Sequence, residues 1–168
     1  MLILVITDKE IDQESAIYTL PDQDVMIARS FQEAMRIMSF KGMRLDVVLS
    51  DVIIPMTDSF DCREDQCFSI ATHASSCDAK FVGIVTDPSY KRSIISEMLG
   101  DVGMPGYGLY FFVNCTRVMY IRSLLTSNGA KNWGQVLADL TTDSPAVEQP
   151  RPHGSHGWVI RQIYDEQY

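Results

Sequence analysis

The chain has 168 residues, which is enough for one globular domain with a short additional segment. Hydrophobic residues make up 46% of the sequence and charged residues 21%, as is ordinary for a soluble globular protein. The net charge of -8 argues against a nucleic-acid-binding surface and against adhesion to an anionic membrane. All apolar runs are shorter than a transmembrane helix, and the first residues lack the pattern of a secretory signal peptide.

Taken in chain order, apolar stretches that predict strands alternate with stretches that predict helices. The predicted strands are 2–6, 24–28, 46–50, 81–86 and 109–113. The predicted helices are 10–20, 30–42, 67–74, 90–99, 117–125 and 131–140. Such alternation predicts a flavodoxin-like three-layer α/β/α sandwich around a five-stranded parallel sheet of order 2-1-3-4-5.

The composition changes near residue 140, which predicts a boundary between two parts of the chain. We expect one domain at residues 1–140 and a flexible tail at 141–168 with a short apolar end, because Thr, Asp, Ser, Pro and Gly dominate residues 141–157. None of the four cysteines forms a C-x-x-C pair, so we expect free thiols in a cytoplasmic protein.

The most informative motif lies at the end of the third predicted strand. Asp51 follows an apolar run and is followed in turn by Val52, Ile53, Ile54 and Pro55. Ligands and chemistry collect at the carboxyl edge of an open α/β sheet, and a carboxylate there is costly unless it is paired or exposed. A structural explanation, in which Asp51 only caps the following turn, stays open.

These motifs resemble the receiver domain of bacterial response regulators. The Asp51-to-Pro55 segment matches the family's phosphoacceptor motif, and Thr86 stands where the family has Thr or Ser after the fourth strand. Asp8 keeps one member of the acidic pair after the first strand, whereas Thr7 replaces the other. The family's lysine after the fifth strand corresponds, by this alignment, to Asn114.

The resemblance implies a site in which Asp51 is the phosphoacceptor and Asp8 and Asp51 hold Mg²⁺. Thr86 and Asn114 are the residues it places against a phosphoryl group. Because Asn114 brings no positive charge and Thr7 no negative charge, we expect weakened or lost phosphorylation.

The leading hypothesis is therefore a receiver-like signalling domain, not an enzyme, that acts by binding a protein partner such as a histidine kinase or a regulatory target. One alternative is an active receiver that uses Asp51 and Mg²⁺. Another is a small flavodoxin-like enzyme or nucleotide binder, although no glycine-rich phosphate loop follows the first or fourth predicted strand.

Overall fold

The computed structural model describes residues 1–58, 60–86, 109–142 and 161–162. The strands in it are β1 (Leu2–Ile6), β2 (Asp24–Ala28), β3 (Val47–Asp51), β4 (Ile53–Thr57), β5 (Phe60–Asp65), β6 (Phe81–Thr86), β7 (Leu109–Val113), β8 (Thr116–Arg122) and β9 (Arg161–Gln162). The helices are α1 (Glu10–Thr19), α2 (Phe31–Met38), α3 (Cys67–Ser76) and α4 (Trp133–Thr141).

Five strands form a parallel sheet in the order β2-β1-β3-β6-β8, which confirms the predicted flavodoxin-like class. The strands in the middle of this sheet consist of apolar residues that are buried on both faces, as parallel sheets covered by helices require. The sheet continues through β7 and β9, both of which run antiparallel to their neighbours.

The predicted position of the fifth parallel strand is wrong. Residues 109–113 form the antiparallel strand β7, and the fifth parallel strand is β8, in a segment where the sequence pattern predicts a helix at 117–125. Thr116, Val118 and Ile121 are β-branched and buried, so the strand suits this position better than a helix does.

A β-hairpin follows Asp51 directly and extends into residues 56–66, whose polar and acidic sequence predicts a loop or a ragged helix start. Its strands β4 and β5 pair with each other in a separate two-stranded sheet, with an irregularity in register between Pro55 and Thr57. Ile54 in this hairpin is fully buried within the cluster that contains α2 and α3. The hairpin therefore belongs to the packed body of the domain.

Helices cover both faces of the sheet. Helices α2 and α3 pack on one face, and α1 and α4 pack on the other around the fully buried Trp133. Ser30 caps α2, since its hydroxyl accepts a hydrogen bond from the backbone N–H of Glu33 at 3.2 Å.

Two predictions fall largely outside the described residues. The predicted helix at 90–99 lies there, and so does most of the predicted tail, of which only Thr141, Thr142, Arg161 and Gln162 are described. Thr141 ends α4, and Arg161–Gln162 pairs with β7. No helix in the described part of the chain is long and apolar enough to cross a membrane.

Candidate functional site at the carboxyl edge of the sheet

Asp51 lies at the carboxyl edge of the parallel sheet, at the end of β3, and is almost completely buried, with 5% of its surface exposed. Thr7 lies beside Asp51, because the parallel register of β1 and β3 pairs Ile6 with Ser50 and these two residues come directly after that pair. The Thr7 hydroxyl donates a 2.8 Å hydrogen bond to Asp51 Oδ2. Thr7 is therefore a direct partner of the carboxylate.

A lysine that the sequence analysis did not identify supplies a positive charge at Asp51. The Lys131 ammonium lies 3.0 Å from Asp51 Oδ1 and 2.9 Å from Asp12 Oδ2, and Lys131 is only 3% exposed. The same ammonium stands 5.9 Å from the centre of the Trp133 ring. Two carboxylates therefore share a single buried cation.

The segment between β8 and α4 brings Lys131 to this edge. Thr126 and Ala130 close a turn through a 2.8 Å backbone hydrogen bond, and Gly129 adopts a left-handed φ of 84° within it. The turn places Lys131 opposite Leu125 in an antiparallel bridge. The chain thus doubles back beside the end of β8 before α4 begins.

Helix α1 fixes the backbone of Lys131 as well as its side chain. The Lys131 N–H donates to Asp12 Oδ1 at 2.7 Å, and the Lys131 carbonyl accepts from the Ser15 hydroxyl at 2.5 Å. The Trp133 indole N–H donates to the Asp12 carbonyl at 2.8 Å. Because these contacts are buried, the position of Lys131 is determined by a network and not by one exposed ion pair.

Burial and the opposite charge act against each other at both members of the pair, and burial prevails at Asp51 whereas the carboxylates prevail at Lys131. Burial raises the pKa of Asp51 above its ordinary value, and the opposing effects of Lys131 and the Thr7 hydroxyl only partly offset it. Burial lowers the pKa of Lys131, but the nearby Asp51 and Asp12 carboxylates outweigh that effect, and the net shift is upward. Lys131 is therefore a cation at neutral pH.

The other candidates from the sequence divide between the two edges of the sheet. Asp8 is half-buried in the loop after Thr7, and Thr86 ends β6 one residue beyond Val85, which pairs with Asp51. Both belong to the carboxyl edge. Thr7 also lies at this edge. The sequence predicted only that it removes a negative charge, whereas its hydroxyl donates a hydrogen bond to Asp51.

Asn114 does not lie at that edge, so its predicted role as a phosphate contact is wrong. It occupies the turn before β8, at the amino end of that strand, with a left-handed φ of 52°. Its amide donates to the Ser75 hydroxyl at the end of α3. The error follows from taking residues 109–113 as the last parallel strand, and Asn is a residue that tolerates this backbone conformation.

The arrangement does not fit the Mg²⁺ site expected from Asp8 and Asp51. One oxygen of Asp51 accepts from Thr7 and the other faces the Lys131 ammonium, so a cation already occupies the space beside the carboxylate. Within the described residues, no group of three or more His, Cys, Asp or Glu side chains is placed to hold a metal ion. We therefore derive no step through Mg²⁺.

Comparison with solved structures gives a likeness in fold. The structure is similar to the crystal structure of a response regulator receiver domain protein from Clostridium thermocellum, with 20% sequence identity and a TM-score of 0.47. The match covers 82% of this chain and 90% of that one, and it concerns the fold alone. No protein-family model matches the sequence, and no curated protein matches it.

Proposed function

We propose that the chain is a receiver-like signalling or regulatory domain that acts by protein–protein interaction, with weakened or lost aspartyl phosphorylation. The observation that supports this proposal is the state of Asp51. Its carboxylate is buried, and both oxygens already face an internal partner, Thr7 on one side and Lys131 on the other. Phosphoryl transfer requires a carboxylate oxygen that can reach an incoming phosphoryl group in line.

The basis for this proposal differs from the one that the sequence offered. The sequence argument relied on a missing positive charge at Asn114, but Lys131 provides a positive charge at Asp51. What now weakens phosphorylation is that Lys131 is also bound to Asp12, so that freeing Asp51 would disturb a buried network. Removing one partner of a buried charge pair costs on the order of 3–5 kcal/mol.

We propose a non-enzymatic domain in the cytoplasm that binds a protein, either a histidine kinase or a regulatory target. The net charge of -8 favours a protein partner over nucleic acid or an anionic membrane.

The test is phosphorylation by a small-molecule donor. Wild-type protein and the Asp51→Ala variant are incubated with Mg²⁺ and acetyl phosphate, with a receiver that accepts phosphate from this donor as a positive control. Intact mass and the amide NMR spectrum are then recorded. We expect little or no mass increase in the wild type and no difference in labelling between it and the variant.

An active receiver is the second candidate, and one observation favours it. The Lys131 ammonium at 3.0 Å from Asp51 supplies the kind of charge that pairs with phosphoryl oxygens. Stoichiometric labelling that disappears in Asp51→Ala, together with a large spectral change in the wild type, would replace the leading proposal with this one.

A further inference from the structure

The Lys131 ammonium occupies the position between two carboxylates that a metal cation could otherwise take. Its Nζ atom lies between two carboxylates that belong to different elements, Asp12 in α1 and Asp51 at the end of β3. The two contacts of 2.9 and 3.0 Å are nearly equal, and both carboxylates are buried. A cation is therefore held where two acidic groups converge.

The lysine balances the charge at this point only if one of the two carboxylates carries a proton. Two carboxylates in their ordinary ionised forms carry one more negative charge than the single ammonium neutralises. In addition, Asp51 Oδ1 is buried and faces the ammonium without receiving a well-directed hydrogen bond. A buried polar atom in this condition is unusual and points to a site that can take a better-matched ligand.

We propose that the Lys131 ammonium is a built-in substitute for a bound divalent cation, and that Asp12 and Asp51 bind such a cation only when the ammonium is removed. Hard divalent cations prefer oxygen ligands, and Mg²⁺ is commonly held by one or two carboxylates with water completing its shell. The inference deepens the proposed function, on which it rests, because it explains how the buried Asp51 carboxylate is paired with a cation when no metal is bound.

The experiment measures Mn²⁺ binding, since free Mn²⁺ is counted directly by electron paramagnetic resonance. Four proteins are titrated: the wild type, Lys131→Met, Lys131→Arg, and Lys131→Met combined with Asp12→Asn. Methionine keeps much of the side-chain length and removes the charge, whereas arginine retains a charge. We expect at least tenfold tighter binding by Lys131→Met than by the wild type or Lys131→Arg, and loss of that gain in the double variant.

Thermal unfolding covers the case in which Lys131→Met is unstable without a metal. Two buried carboxylates left without their cation destabilise the fold, and Mn²⁺ binding to the folded form then raises its melting temperature. We expect Mn²⁺ to raise the melting temperature of Lys131→Met and to leave that of the wild type unchanged.

Three results would overturn the inference. Wild type could bind Mn²⁺ as tightly as Lys131→Met, a folded Lys131→Met could show no gain, or an unfolded one could fail to refold with Mn²⁺. Phosphorylation is a separate readout: acetyl phosphate labelling of the wild type rejects the proposed function, whereas the Mn²⁺ titration decides this inference.

Discussion

At the scale of single residues, two effects compete at Asp51. Burial raises the pKa of its carboxyl group, whereas the Lys131 ammonium at 3.0 Å lowers it, and burial is the larger effect. A raised pKa in the folded state means that the folded protein holds its proton to higher pH than the unfolded chain does. The contribution of Asp51 to stability is therefore greatest at acidic pH and is lost as pH rises through the folded-state pKa.

The upward shift in the pKa of Asp51 gives a prediction for the Asp51→Asn variant. Over pH 4–8, the free energy of unfolding of the wild type minus that of the variant should fall as pH rises. The raised pKa of Lys131 keeps that side chain charged throughout this range, so it adds no slope. Urea unfolding of both proteins at several pH values provides the measurement. A difference that grows with pH would show that the ion pair outweighs burial.

Sequence patterns predicted Asp51 but missed both of its charged neighbours in the network. Asp51 could be predicted because a carboxylate directly after a buried strand is a local feature of the sequence. Asp12 and Lys131 are 119 residues apart, and each alone resembles an ordinary surface residue. Only the packing of α1 against the loop before α4 brings them together, and no local spacing encodes that contact.

At the scale of elements, the site depends on a close approach between α1 and α4. A Cβ atom at Gly134, the second residue of α4, would lie 2.4 Å from the Thr19 carbonyl oxygen at the end of α1. Real Cβ atoms do not approach a backbone oxygen so closely, so only glycine allows this separation. The same two helices carry Asp12 and Trp133, whose hydrogen bond spans them.

Gly134→Ala should therefore destabilise the protein, although alanine is the better helix former. Forcing the helices apart costs on the order of 1–3 kcal/mol, which exceeds the gain of about 1 kcal/mol in helix propensity. Ala138→Ser, at an exposed position of the same helix, is the control and should change stability by about 0.5 kcal/mol or less. Urea unfolding measures both. A Gly134→Ala variant as stable as the wild type would show that the helices can separate without loss.

The incorrect prediction at β8 has a definable cause. Val118, Met119, Tyr120 and Ile121 form a continuous apolar run, and a run of this length fits a buried helix as well as a buried strand. With that run assigned to a helix, the pattern predicts residues 109–113 as the last parallel strand, although this segment, β7, pairs antiparallel with β8. Which of two neighbouring apolar segments enters a parallel sheet depends on its long-range partner, here β6.

At the scale of the whole molecule, the sheet connects two helical layers. Ile70 of α3 is fully buried in one layer, and Leu140 of α4 is fully buried in the other. Adjacent residues of each central strand point to opposite faces, so β3 contributes Val48 to the first cluster and Leu49 to the second. The alternation of strands and helices predicted this layered class, because it depends on patterns repeated along the chain rather than on one contact.

Because both layers share the same strands, we expect them to unfold as one cooperative unit. Ile70→Ala and Leu140→Ala, one in each layer, should each lower the free energy of unfolding by about 2–5 kcal/mol. The measurement uses a Trp158→Phe background, in which Trp133 is the remaining tryptophan and reports on the layer of α1 and α4. Fluorescence and far-ultraviolet circular dichroism should give coincident urea transitions in both variants. If Ile70→Ala shifted the dichroism transition but left the Trp133 transition unchanged, the two layers would unfold independently. A substitution in the layer of α2 and α3 would then not alter the stability of the opposite layer, which contains Trp133.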